Sequence, residues 1–181
     1  RQGQMISVRN VHERCLAAQL EQVGALVDAL GSPGDRLWPS SRWPRMRLDR
    51  PLQVGAVGGH GPIRYHVEAY EPGRRVQFTL RAPRGFEGFH AFVVVPVSQE
   101  TTTLRHVLDM KACGPALLTC PVIFRPLHDA LVEDCFDKAA LALGEEPRCR
   151  HGRSGFACYG ADFASWAVGS GVGALSNTAC S

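Results

Sequence analysis

The sequence has no long uncharged apolar run. Nothing in its 181 residues approaches the roughly 18 to 20 residues that a helix needs to cross a bilayer, so no membrane span is expected. It also shows no secretory signal, since charges are scattered through its first fourteen residues. CxxC pairs are missing. Seven cysteines, an odd number without regular spacing, offer no disulfide framework. A domain of this size can build its own core, so the expectation is a cytoplasmic protein with free thiols. Basic clusters are absent too. The net charge is +3 and the arginines are dispersed, which argues against a nucleic-acid partner. No internal repeat is visible.

Two further absences concern chemistry. Gly58-Gly59-His60-Gly61-Pro62 is rich in glycine, but it lacks the Gly-Lys-Ser/Thr ending of a phosphate loop and no helix follows it. It reads as a tight turn or bulge, and no cofactor is expected. The seven histidines show no helical i,i+4 spacing and no CxxC companion. Only a convergence of His66, His90 and His106 from different strands would build a metal site, and the expectation is none.

What is present is a globular composition, 45% hydrophobic and 20% charged. That fits one domain over residues 5–144 followed by a tail. Met5 to Val11 alternates in part and reads as a first strand. Cys15 to Leu30 carries Leu16, Leu20, Val23, Leu26, Val27 and Leu30 on a helical stripe, and Gly31 ends it. Two Trp-Pro pairs, Trp38-Pro39 and Trp43-Pro44, fix extended backbone in a loop. Their rings either plug one end of the core or form the rim of a pocket.

From Leu52 the period changes to two. Strands are expected near Leu52–Val57, Ile63–Tyr70, Arg75–Arg81, Gly88–Val97 and Thr102–Met110, separated by short turns. Connections this short give an antiparallel meander.

The meander is followed by the best helix candidate in the chain, Pro121 to Gly144. Cys120, Phe124, Leu127, Leu131, Cys135 and Ala142 fall on one side of it; Arg125, Asp129, Glu133 and Asp137 fall on the other. Asp134 and Lys138 sit four apart in the favourable order. Pro126 either starts the main helix or kinks it. The bland reading is an amphipathic helix covering a sheet.

This element order is similar to the helix-grip fold of the SRPBCC (START-like, polyketide cyclase-like) superfamily. Asp35-Arg36-Leu37-Trp38-Pro39 with Trp43-Pro44 resembles the loop after its short helices. Ile63 to Phe78 resembles its sheet hairpin, and Thr103-Leu104-Arg105-His106 with the terminal helix also fits. The likeness covers about Met5 to Gly144 and is nearest to uncharacterised actinobacterial-type members. It implies an α+β helix-grip domain, a curved antiparallel sheet of about six strands wrapped on a long C-terminal helix. Where members have seven strands, the missing one belongs near Met46–Leu48. The resemblance also implies a cavity between sheet and helix, used in that superfamily for lipids, sterols, polyketides or hormones, or for aromatisation, cyclisation and dehydration. No catalytic motif carries over with it.

The strand faces supply the candidate residues. His90 shares a face with Phe92, and His106 with Met110; each histidine is either a satisfied core residue or a pocket acid/base. His66 lies two residues from Glu68 on a face that also carries Arg64, a candidate dyad or a solvated network. His90, His106 and His66 are the candidate catalytic residues. Ligand contacts are expected from Trp38, Trp43, His60, Arg64, Tyr65 and Glu68. Phe92, Met110, Phe124, His128 and Leu131 complete the set. His128 flanks the apolar stripe of the helix, whereas Asp129 points about 100° away from it. Cys120 and Cys135 read as buried small hydrophobes.

After residue 145 the composition shifts to Gly, Ala and Ser, and 145–181 reads as a loosely packed extension. Two functions follow from this reading. One is a monomeric or homodimeric binder of a small apolar molecule of lipid, polyketide or isoprenoid type. The other is a cyclase/aromatase- or dehydratase-like enzyme with a pocket histidine as general acid/base.

Overall fold

The computed structural model describes residues 5–114 and 116–146. The tail expected over 145–181 lies outside them, apart from its first two residues. Seven strands form one sheet: β1 (Met5–Leu16), β2 (Arg47–Leu48), β3 (Val57–His60), β4 (Ile63–Glu71), β5 (Arg75–Ala82), β6 (Phe86–Pro96) and β7 (Thr102–Cys113). Their spatial order is β1-β7-β6-β5-β4-β3-β2, and every neighbouring pair is antiparallel. Helix α1 (Leu20–Asp28) follows β1. The C-terminal helical region is α2 (Ala116–Thr119), a π turn (Cys120–Phe124) and α3 (Arg125–Ala142). This is the α+β arrangement expected, with seven strands rather than six. The seventh is the two-residue β2, at the place where the resemblance located it. Among the described residues no helix is long and apolar enough to cross a membrane.

Three boundaries differ from the sequence reading. β1 runs on to Leu16, and the following helix starts only at Leu20. Leu16 satisfies both periods, because it is also an inward position of the strand. The segment expected as strand Leu52–Val57 is bend and turn up to Ala56. The strand begins at Val57, and Gly58, Gly59 and His60 belong to it. Glycine is required there by crowding: a Cβ on Gly58 would lie 2.0 Å from the Arg47 carbonyl oxygen of β2. Finally, the long helix is interrupted. The π turn takes up Pro121, and Pro126 then occupies the first turn of α3, where its missing N–H costs nothing.

The inner face of the sheet is set by register. Val8, Asn10, His12 and Arg14 of β1 lie opposite Met110, Leu108, His106 and Leu104 of β7, and Phe92 of β6 lies opposite His106 on its other side. Leu131, Val132, Cys135, Phe136, Ala139 and Ala140 of α3 are buried in the same core. Cys113, Cys120 and Cys135 are free thiols.

The acidic side of α3 is only partly open to water. It faces β1. His12 lies 3.0 Å from both Asp129 Oδ1 and Glu133 Oε1, one contact from each ring nitrogen. Arg14 donates to Glu133 Oε2 at 2.8 Å and to Asp137 Oδ1 at 2.9 Å. Two residues of strand advance about 6.6 Å and four residues of helix about 6 Å, so the two ladders stay in step. Asn10 donates to Asp129 as well.

Candidate functional site

A cavity lies between the inner sheet face and α3. Its walls are aromatic and aliphatic, with Trp38, Trp43, Phe92, Phe124 and Leu131 among them, and four imidazoles interrupt them: His60, His90, His106 and His128. Space for the centre of a water molecule amounts to about 40 Å³, room for roughly three waters. A cavity that takes one benzene ring measures about 150 Å³, so even a one-ring ligand must push the walls apart.

The two tryptophans are held by a loop that is itself pinned. Asp35 Oδ1 accepts the Leu37 and Trp38 amides, and its Oδ2 accepts the Gly31 amide. Trp38 Nε1 donates to the Pro44 carbonyl at 3.0 Å. Trp43 Nε1 donates to Asp134 Oδ2 at 2.8 Å, on α3. Lys138 donates to the carbonyls of Asp35 and Trp38. Asp134 and Lys138, spaced for a pair along the helix, thus both turn to the loop and tie it to α3. Both rings are buried and line the cavity, so the plug and rim readings describe one arrangement.

The polar groups come in two pairs. His106 Nε2 lies 3.4 Å from His90 Nδ1, across the diagonal between β7 and β6. His60 Nδ1 lies 3.2 Å from the Tyr65 hydroxyl. Tyr65 stands at the back, with its ring against His90 and Phe78. Among the described residues His90 Nε2, His106 Nδ1 and His128 Nδ1 are buried without a hydrogen-bond partner. Burial keeps these imidazoles neutral. It pushes His90 and His106 well below the usual histidine range, lowers His128, and brings His60 to about 3, with His128 and Arg64 adding to the effect there. Burial raises Tyr65 far above its ordinary value and the Cys120 thiol to about 11, and it raises Cys135 as well. None of these groups is a ready nucleophile.

A neutral imidazole has one N–H and one bare nitrogen. In the His90–His106 pair one ring donates to the other. If His106 Nε2 donates, His106 Nδ1 is left as an acceptor and His90 Nε2 as a donor; the reverse bond exchanges the roles. Either way the pair offers one donor and one acceptor at its two ends.

The candidates from sequence divide clearly. His60, His90, His106, His128, Trp38, Trp43, Phe92, Phe124 and Leu131 line the cavity. Tyr65 touches it through His60, and Met110 is buried in the core around it. Arg64, His66 and Glu68 are not on its wall. Arg64 bonds the carbonyls of Gly61 and Ile63. His66 accepts from Arg81 at 2.9 Å and lies 3.4 Å from Glu68, which accepts from Thr79. They form a network on the other face, because Ile63, Tyr65 and Val67 hold the inward positions of β4.

The residues missed from sequence are on β1. His12 and Arg14 alternate with outward positions, a period-two signal, and Asp129, Glu133 and Asp137 recur every four residues on α3. Matched spacing of opposite charge was the available clue. Burial opposes the charge on His12, yet its bonds to Asp129 and Glu133 outweigh this and carry it up to about 9. Burial likewise opposes the Asp129 and Glu133 carboxylates, and His12, with Arg14 for Glu133, holds both below the usual range.

No family model matches the chain and no curated protein matches it. Solved structures do. Norcoclaurine synthase from Thalictrum flavum in truncated form superposes with a TM-score of 0.60 at 14% identity, over 81% of this chain and 99% of that one. The same enzyme in complex with dopamine and hydroxybenzaldehyde gives 0.58 at 13%, over 80% and 91%. A protein of Thermobifida fusca solved by NMR gives 0.55 at 18%, over 79% and 99%. Identities this low carry the fold alone, and the fold is the helix-grip fold that the SRPBCC resemblance implied.

Proposed function

We propose that the chain binds a small, largely apolar molecule, about one aromatic ring in size, whose hydrogen-bonding group pairs with His90 and His106. One observation carries this reading: two buried imidazole nitrogens, His90 Nε2 and His106 Nδ1, lack partners on a pair of rings that lines an otherwise apolar cavity. A buried polar atom without a partner costs about 1–3 kcal/mol, so a ligand that supplies one is favoured over an apolar isostere. A carbonyl takes the donor end and a hydroxyl takes either. One ring fits if α3 or the tryptophan loop yields a little, and lipid, polyketide or isoprenoid ligands only if it yields further.

The second reading is an enzyme of cyclase/aromatase or dehydratase type. It draws support from the convergence of the His90–His106 and His60–Tyr65 pairs on one cavity. Burial that keeps the imidazoles neutral makes them weak bases, so polarising a carbonyl by hydrogen bonding suits them better than removing a proton. For that reason binding stands first.

The test is calorimetric titration of a one-ring panel, phenol, benzaldehyde, hydroxybenzaldehyde and dopamine, against toluene as the apolar control. The binding reading expects a polar-substituted ring to bind at least tenfold tighter than toluene, and His106→Leu to abolish that preference. Equal affinity for toluene, or no binding of any member, contradicts it. Conversion of a bound member, lost in His90→Leu, would move the second reading ahead.

A further inference from the structure

We propose that His12, His128 and Asp129 form a site for one divalent transition-metal cation of the zinc class. Each offers one ligand atom, these atoms all lie within 4.8 Å of one another, and none of the three residues is exposed. The spacing suits a metal. Four ligands at about 2.1 Å in a tetrahedron stand about 3.4 Å apart. Asp129 Oδ1 lies 3.0 Å from His12 Nε2 and 3.8 Å from His128 Nδ1, on either side of that value.

Three further features point the same way. His128 Nδ1 is buried and lacks a hydrogen-bond partner among the described residues. The far nitrogen of His12, Nδ1, meets Glu133 Oε1 at 3.0 Å, the carboxylate behind a ligand imidazole that fixes its ring and raises its basicity. Asn10 is buried and donates to Asp129 Oδ1, which holds that carboxylate in place behind the site. Two imidazoles with a carboxylate suit zinc, cobalt or copper better than calcium or magnesium, which prefer all-oxygen shells. A proton shared between His12 and Asp129 is the competing occupant. The site is independent of what the cavity binds, although His128 belongs to both and its ring lies 5.0 Å from that of His106.

Metal-depleted full-length protein, titrated with cobalt(II) and then with zinc, decides the matter. The expectation is one ion per chain, visible bands of tetrahedral strength, and no thiolate charge-transfer band in the near ultraviolet. His12→Gln should weaken binding at least about 100-fold, and Glu133→Gln about 10- to 100-fold. The wild-type protein alone gives a second readout, because X-ray absorption of the zinc form should show a nitrogen and oxygen shell with two imidazoles. Absence of binding overturns the proposal. So does a sulfur-containing shell, or a folded His12→Gln variant that binds as tightly as wild type.

Discussion

His106 Nε2 and His90 Nδ1 face each other at 3.4 Å in the core, with Phe78 stacked on His90 and Phe92 and His128 against His106. Neither ring can be replaced without leaving the other with a buried, unpaired nitrogen. The pair therefore acts as one unit, in stability and in binding.

That gives the first prediction. His90→Leu and His106→Leu should each cost about 1–3 kcal/mol, and the double variant less than their sum, since it removes both polar partners. Urea denaturation of the four proteins measures this. Additivity within about 0.3 kcal/mol would show that the rings do not interact.

Acid should unfold the protein early. Burial lowers His60 to about 3 and takes His90 and His106 well below the usual histidine range, so each stays neutral in the fold while it titrates near 6.5 in the unfolded chain. A lowered folded value for a base means stability that is present above about 6.5 and is lost as pH falls below it. Three such groups give a slope of up to about 4 kcal/mol per pH unit. His12 has the opposite sign, but its contribution is complete below 6.5 and fades only toward about 9. The lowered carboxylates, Asp129 and Glu133, lose theirs only near and below pH 4. Chemical denaturation between pH 7 and 5 isolates the histidines, and a flat profile there would contradict their burial as neutral groups.

Arg14 holds β1 to α3 through Glu133 and Asp137 while its own side chain is only 6% exposed. Arg14→Met keeps the stem but removes the guanidinium from both carboxylates, and Glu133 keeps its contact with His12. Those carboxylates are partly open to water, which limits the penalty to about 2 kcal/mol. A loss below about 0.5 kcal/mol in thermal denaturation would place the clasp among ordinary surface ion pairs.

Trp43→Phe keeps an aromatic wall and removes one donor to buried Asp134, which keeps Arg42. The expected cost is about 1–2 kcal/mol, with faster dissociation of any cavity ligand because the loop loses a tie to α3. Stopped-flow fluorescence reads the rate. An unchanged off-rate would mean that the loop does not hold the ligand in.

The meander and its covering helix were legible because β4, β5 and β7 largely alternate, β6 is a short apolar run, and the turns after β4 and β5 carry Pro and Gly. The inner face of β6 and β7 was legible too, since His90 with Phe92 and His106 with Leu108 recur at period two. The rest was hidden for physical reasons. β2 has two residues, too few for any period. Leu16 fits a helical stripe and a strand face equally well. The acidic side of α3 looked like a solvated face because its partners, His12 and Arg14, lie more than a hundred residues earlier. Sequence could place His66 beside Glu68, but not on the side of the sheet away from the cavity. Which face is inward is decided by α3, not by the strand.

The measurement closest to the central claim is nitrogen NMR of the histidine rings during titration with hydroxybenzaldehyde and phenol. The account expects the His90 and His106 ring nitrogens to shift saturably with one ligand equivalent, while His66, on the outer face, stays still. Shifts confined to His66, or rings at 90 and 106 that remain unmoved while a ligand demonstrably binds, would contradict it.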